Sequence, residues 1–365
     1  MKRAIVIVLD GCGAGHAPDA EDYGDRHEPN TLLHVWDQAG PVHALTLELA
    51  GFFTCAGVHV VPAPNARYGR LRPLSCGKDS VTGHWEMMGV VLDEPFPTYP
   101  SGFPIALIKE FERRIGTQTL ANRPASGTAI IGELGELHQQ TGFPIVYTSA
   151  DSVFQIATHE EVVPLPTLYE WCRIARELCV EPDNVQRVIA RPFVGSPGAY
   201  TRTENRKDFP VKPPHNLVDE IGDVFGIGVV PELFDGRGFR PVSRTQSNPE
   251  HYQLLLTAME SDARFIFANF EDTDMLFGHR NDPVGFRHCL EQFDGFLAEI
   301  ESRLTPDDVL IVTADHGNDP CDVSTDHTRE YSPLIVIGGA EVGNMGDVDG
   351  LGEVGRLVRA HLGVS

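Results

Sequence analysis

The sequence has no CxxC pair, no apolar run long enough to cross a bilayer, no low-complexity tract and few cations for its length. Each absence removes a class of function. Its seven cysteines, Cys12, Cys55, Cys76, Cys172, Cys179, Cys289 and Cys321, are scattered and odd in number. That spacing supplies neither a zinc-finger signature nor a disulfide framework, so a reducing cytoplasm is the expected setting. Residues 1–10 hold two basic residues and a short apolar run ended by Asp10, too short for a signal peptide or a spanning helix. With 29 Lys and Arg against 52 Asp and Glu, the formal charge is -23. So acidic a surface disfavours nucleic acid and anionic membranes, and any phosphate ligand needs local cations of its own. No pattern calls for an obligate protein partner.

What is present is an ordinary globular composition over 365 residues, long for one core and suited to two domains. Residues 4–9 are continuously apolar, as in a strand buried on both faces, and Asp10 ends the run. Gly11, Gly13 and Gly15 suggest a dinucleotide fingerprint, but the third glycine would have to fall at His16 or Pro18, so the fingerprint fails. Their use is to let the backbone turn sharply around a strand-end carboxylate. Residues 310–314 repeat the pattern and release Asp315, His316 and Gly317, while Asp326 and His327 return from a turn-rich loop. Residues 264–270 do so a third time, followed by Asp274 and His279. Open α/β sheets collect their chemistry at the carboxyl ends of strands. Taken singly, each Asp or His reads equally well as a turn cap or a surface residue. Together, Asp10, Asp274, His279, Asp315, His316 and His327 offer carboxylates and imidazoles at one sheet edge. That set suits two divalent ions such as Mn2+ or Zn2+ better than Ca2+, which avoids nitrogen.

Residues 77–89 read as a turn entering a helix, with Ser80 and Thr82 near its N-terminus, where unpaired N–H groups and the dipole welcome anions. Either hydroxyl is open to two readings, a helix cap or a nucleophile. Two divalent ions against three carboxylates leave about one net positive charge, enough to hold a phosphoryl group, and phosphoryl transfer through Ser80 follows as the natural chemistry. Proline-rich stretches at 93–104 and 206–214 bracket predicted helices at 106–115 and 168–178 and strands at 144–149 and 185–194, the mark of an inserted α+β domain. The expected organisation is a core domain at 1–94, a cap at 95–210 and the second part of the core at 211–365. Inside the cap, Ser149 and Asp151 follow a strand, and Arg187, Arg191 and Arg202 cluster in an otherwise acidic chain. Beyond it, helix 216–225, strand 226–230, helix 250–259, helix 284–304, strand 333–337 and helix 354–362 resume the first pattern.

In order along the chain, Asp10, the run Gly77-Lys-Asp-Ser-Val-Thr-Gly-His-Trp-Glu86, residues 147–153 and 187–195, Asp274 with His279, residues 314–319 and residues 325–330 closely resemble the phosphopentomutase family of the alkaline phosphatase superfamily. The likeness runs from residue 4 to about residue 338. It implies a doubly wound α/β alkaline-phosphatase-like core with an inserted α+β cap domain. It also implies two Mn2+ ions, one held by Asp10, Asp315 and His316 and the other by Asp274, His279 and His327. Ser80 would be the hydroxyl that is phosphorylated. The family usually carries Thr there; Ser offers the same oxygen with one more rotamer open. Ser149, Asp151, Arg187 and Arg202 match positions that face the sugar and its distal phosphate. The implied reaction interconverts ribose 1-phosphate and ribose 5-phosphate, or their 2-deoxy forms, through a pentose bisphosphate, with a sugar bisphosphate as activator. A metal-dependent phosphatase or phosphodiesterase of the same superfamily is the alternative, and the retained cap positions argue against it.

Overall fold

The computed structural model describes residues 1–149, 152–339 and 341–364. The apolar run near the N-terminus is the strand Arg3–Leu9, and Ala4, Ile5, Val6, Ile7 and Val8 are all 0% exposed. Side chains of a strand alternate between faces, so burial without a break requires cover on both. The strand lies parallel to Phe265–Phe270 on one edge and to Asp308–Thr313 on the other. The full sheet has seven strands in the order Gly343–Asp349, Arg67–Arg72, Ser332–Ile337, Asp308–Thr313, Arg3–Leu9, Phe265–Phe270, Phe225–Ile227. Ser332–Ile337 runs antiparallel to both of its neighbours.

Register decides where the chemistry lies. Val8 is level with Thr313 and Leu9 with Phe270, so the three central strands end together, with Asp10, Asp315 and Asp274 following at one edge. On one face, Ile5, Ile7, Leu9, Ile266, Ala268, Leu310 and Val312 pack with the helices Thr31–Ala39, Asn248–Met259 and Pro283–Arg303. The helix Glu353–Leu362 packs on Arg3–Leu9, and Val230–Leu233 packs on Phe265–Phe270 and on the helix Ser80–Met87. This is the layered α/β core expected from the apolar runs.

Some elements differ from expectation. The helix predicted over 216–225 is only Leu217–Ile221, because Gly222 and Asp223 take φ of 61° and 52°, which ends the helical path; Phe225 then opens a strand. Val230, predicted as the end of that strand, begins a helix instead. Arg67–Arg72 and Gly343–Asp349 were not visible as strands; the first is dominated by arginine and the second by Gly, Asn and Asp.

The chain divides into two compact units, Met1–Pro95 with Pro213–Ser365, and Phe96–Lys212. The second unit has its own mixed sheet, in the order Leu120–Pro124, Ile145–Thr148, Val153–His159, Arg187–Val194, Thr201–Arg202, with Lys207–Pro210 also pairing with Arg187–Val194. Alternation fills both of its faces. Val146, Phe154, Ile156 and Val188 pack with Phe111, Leu168 and Cys172 of two helices, while Ile145, Tyr147 and Phe193 pack with Ile130 and Ile131 of Gly127–Thr141. Among the described residues, no helix is long and apolar enough to cross a membrane.

Candidate metal centre

Asp10 leaves the end of its strand 4% exposed, and its Oδ2 accepts from Asn269 Nδ2 at 2.6 Å. Its Oδ1 is buried without a hydrogen bond and stands 3.3 Å from His316 Nε2. Burial and the neighbouring carboxylates of Asp315 and Asp274 push its pKa well above the usual carboxylate range. Gly11 follows with φ of 73°, and a Cβ there would lie 3.0 Å from the Asn318 Cβ, so the turn around Asp10 needs glycine for both conformation and space.

Asp315 occupies the equivalent place on the next strand. Its Oδ1 accepts from the Gly11 and His316 backbone N–H groups at 3.3 and 3.1 Å, leaving Oδ2 buried and without a hydrogen bond. Burial works against its ionisation, yet His316 and His84 hold its pKa down at about 2. His316 is 3% exposed, and its Nδ1 donates to Gly317 O at 3.1 Å. That bond selects the tautomer whose Nε2 lone pair faces the carboxylates. Burial lowers the pKa of this imidazole.

Asp274 lies in a π-helical turn, Thr273–Phe277, and its Oδ1 accepts from Asn318 Nδ2 at 2.6 Å. Its Oδ2 is 3.1 Å from His279 Nε2, and its Oδ1 is 3.5 Å from His327 Nε2. Burial opposes its ionisation, but hydrogen bonds from His279 and His327 bring its pKa well below the usual value. His279 Nδ1 donates to Thr325 O at 2.7 Å, while its Nε2 faces His327 Nε2 at 3.2 Å. The Asp274 carboxylate raises the pKa of His279 to about 9. The His316 and His327 rings stack with centroids 3.9 Å apart.

Two donor sets thus converge, each with its ligand atoms within 4.8 Å of one another: Asp10, Asp315 and His316, and Asp274, His316 and His327. The first is the trio expected from the sequence. In the second, His316 stands where the sequence reading had His279, and His279 lies beside it, in reach of Asp274 and His327. Two features fit divalent cations: the buried carboxylate oxygens Asp10 Oδ1 and Asp315 Oδ2 without donors, and a mixed oxygen and nitrogen donor set gathered within 4.8 Å.

Ser80 is the first residue of the helix Ser80–Met87, and its Oγ lies 3.2 Å from His316 Nε2. Neither Ser80 nor Thr82 caps this helix. The cap is Asp79, whose Oδ1 accepts from Thr82 N at 3.1 Å and whose Oδ2 accepts from Thr82 Oγ1 at 2.7 Å. A carboxylate is at least as good an N-cap as a hydroxyl, so Thr82 is tied down while Ser80 is left facing the imidazole. Sequence reasoning gave no role to Asn269, Asn318 and His84, which support the ligands from behind; His84 and Asn318 lay within the quoted motifs, at residues 77–86 and 314–319, while Asn269 lay in none of them.

In the other compact unit, Ser149 follows the strand Ile145–Thr148 and is half-buried. Asp151 lies outside the described residues. Arg187 opens its strand with Nη1 3.6 Å from Asp208 Oδ2. Arg202 is exposed, and a Cβ on Gly127 would come within 2.2 Å of its Nη2, which places its guanidinium at the start of the helix Gly127–Thr141.

An α/β sheet whose strand ends gather carboxylates and imidazoles carries a donor set suited to divalent metal ions, and the family model of the metalloenzyme superfamily matches residues 232–365. The PH0037 protein of Pyrococcus horikoshii shares the fold, with a TM-score of 0.52 at 16% identity, covering 100% of this chain and 98% of that one. Sequence relatives are closer. The phosphopentomutase of Caldanaerobacter subterraneus subsp. tengcongensis is 49% identical over 92% of this chain and 87% of its own length. That of Acetivibrio thermocellus is 46% identical over 100% of this chain and 97% of its own. The chain belongs to the phosphopentomutase family.

Proposed function

We propose that the protein interconverts ribose 1-phosphate and ribose 5-phosphate, or their 2-deoxy counterparts, through a phosphorylated Ser80 and a pentose bisphosphate. The observation that carries this reading is the Ser80 hydroxyl, 3.2 Å from His316 Nε2 and so beside the two groups of candidate metal donors. Asp10, Asp315 and His316 would hold one Mn2+ ion and Asp274, His279 and His327 the other, and the two ions would supply positive charge for the phosphoryl oxygens and lower the pKa of the hydroxyl. The remaining work falls to the chain itself.

A sugar bisphosphate primes the enzyme. The Ser80 Oγ–P bond forms as the donor O–P bond breaks, and the serine proton ends on the released sugar hydroxyl. The phosphoserine then gives its phosphoryl group to the free hydroxyl of a pentose monophosphate. The resulting bisphosphate returns its other phosphoryl group to Ser80. The Asp79 cap keeps the helix N-terminus in place, so its dipole favours the anion at Ser80. The Nδ1–H bond from His316 to Gly317 O keeps the Nε2 lone pair free to hold a metal ion beside Ser80. In this reading the unit Phe96–Lys212 is the cap, and Ser149, Asp151, Arg187 and Arg202 receive the sugar and its distal phosphate. Excluding water then protects the phosphoserine from hydrolysis. The cysteines are free thiols, which suits a cytoplasmic enzyme.

The test is a phosphorus NMR time course of Mn2+-loaded, bisphosphate-primed protein with ribose 5-phosphate. A ribose 1-phosphate resonance that grows to a steady ratio without free phosphate supports the mutase. Accumulating inorganic phosphate assigns the site to a hydrolase. A Ser80→Ala variant that still takes phosphate from a bisphosphate removes Ser80 from its role and leaves Thr82 as the remaining hydroxyl.

A further inference from the structure

Residues 73–79 carry the chain from the strand Arg67–Arg72 to Ser80. The segment has no regular structure, so its peptide groups need partners from elsewhere. They find them from two sides. Arg329, with a side chain 2% exposed, donates from Nη2 to Pro73 O at 3.0 Å and from Nη1 to Ser75 O and Gly77 O at 2.7 and 2.6 Å. Its Nε and Nη2 reach the two carboxylate oxygens of Asp19 at 3.2 and 2.8 Å, and its guanidinium lies 4.5 Å over the Tyr23 ring. Every N–H of the fork is used.

Glu86, 1% exposed on the helix that begins at Ser80, takes the complementary groups. It accepts from Leu74 N at 3.0 Å, Ser75 N at 2.8 Å and Leu351 N at 2.8 Å. Lys78 is tied to Asp25 Oδ1 at 2.9 Å, and Asp25 Oδ2 accepts from the Arg329 backbone N–H at 2.6 Å. Arg329 follows His327 by two residues, and Thr328 between them exchanges backbone hydrogen bonds with Gly317, at 3.1 and 2.7 Å. One residue therefore grips the carbonyls of the loop before Ser80 while its neighbour Thr328 is bonded to the segment that carries His316, and His327 lies two residues back.

We propose that Arg329, with Glu86 as its counterpart, is a positioning residue that sets the place of the Ser80 hydroxyl relative to the His316 and His327 imidazoles. The proposal rests on the reading of Ser80 as the phosphoryl acceptor. Arginine is required because a planar fork spans three carbonyls and a carboxylate at once, whereas the lysine ammonium donates from a single point. A shift of about 1 Å between reacting groups costs on the order of 100-fold in rate.

The experiment compares Arg329→Lys with the wild-type full chain by hydrogen exchange and by kinetics. Lysine keeps the charge opposite Asp19 and gives up most of the carbonyl contacts. Amide exchange across residues 74–82 rises in both the metal-free and the Mn2+-loaded protein. In the loaded protein kcat falls about 10- to 100-fold per folded molecule, while KM for ribose 5-phosphate and the Mn2+ stoichiometry stay within about twofold of wild type. A purely structural arginine lowers the melting temperature and leaves kcat per folded molecule unchanged, and that result overturns the proposal. Unchanged loop exchange overturns it too. Should Arg329→Lys not fold, Glu86→Gln, which keeps one acceptor oxygen, decides by the same two readouts. Wild-type protein that transfers no phosphoryl group defeats the phosphoserine reading instead, and the exchange result still judges the clamp.

Discussion

Gly83 is where the Ser80 helix comes closest to the strand end that carries Asp315. A Cβ at this position would lie 2.3 Å from the Asp315 carbonyl oxygen and 2.9 Å from its Cβ. Ordinary contact begins near 3.4 Å, so Gly83→Ala must move the helix away by about 1 Å. Two effects oppose each other. Alanine in a helix interior gains about 1 kcal/mol over glycine, whereas overpacking a rigid contact costs about 1 to 3 kcal/mol. The neighbouring atom is strand-end backbone, and Gly11 N and His316 N hold the Asp315 side chain as well, so the contact cannot relax cheaply. Overpacking wins, with a net loss of about 1 kcal/mol or more. The larger effect is on rate, because the same displacement separates the Ser80 hydroxyl from His316, and about 100-fold in kcat follows. Thermal unfolding and steady-state turnover of the Mn2+-loaded variant measure the two losses. A Gly83→Ala protein with a raised melting temperature and wild-type kcat would refute the reasoning, since alanine would then be acting as it does in an open helix.

Other outcomes follow from the same geometry. Asn269→Leu removes the donor on Asp10 Oδ2 and weakens Mn2+ binding at that donor set by about 10- to 100-fold in calorimetric titration. Asp10→Asn relieves a buried carboxylate crowded by Asp315 and Asp274, so the metal-free variant melts no lower than wild type, and the Mn2+-dependent rise in melting temperature largely disappears. In wild type that rise corresponds to about 2.7 kcal/mol with Mn2+ at 100 times its dissociation constant. Away from the site, Arg3 pairs with the Asp308 carboxylate through Nε at 2.9 Å and Nη2 at 3.0 Å, and Arg3→Gln leaves that carboxylate only its two Thr305 donors, at a cost of about 1 to 2 kcal/mol. Burial opposes ionisation of Asp308, but Arg3 brings its folded pKa below the usual value. The pair's contribution is therefore complete above about pH 4 and fades as pH falls. Denaturant titrations should show the Arg3→Gln deficit largest at neutral pH and shrinking in acid; a deficit independent of pH would disprove the assignment.

How much of this was legible depends on how local each signal is. The strands ending at Asp10, Phe270 and Ala314 could be read because burial on both faces demands an unbroken apolar run, and the polar residues after each run then fall at one edge. The strand Arg67–Arg72 could not, because only pairing between Ser332–Ile337 and Gly343–Asp349 makes Arg-Tyr-Gly-Arg-Leu-Arg extended. The helix predicted at 216–225 failed because Gly222 and Asp223 adopt positive φ, a choice made by the turn they form. The grouping of Asp10, Asp315 and His316 came from the resemblance rather than from spacing, and which residue joins Asp274 and His327 depends on how the loops at 279 and 316 pack.

The sequence by itself determined the layered α/β class, the carboxylates and histidines placed at strand ends, and the membership of a family whose motifs it carries in order. Those properties follow from hydrophobic period and residue chemistry, which are written locally. Only the tertiary structure decided that Asp79 caps the helix and leaves Ser80 facing His316, that His316 lies within reach of both groups of candidate donors, and that Arg329 and Glu86 hold the loop before Ser80 from opposite sides. These choices depend on which groups, hundreds of residues apart, meet once the chain is packed. Burial makes such meetings obligatory, because a polar atom withdrawn from water must find its partner within the fold.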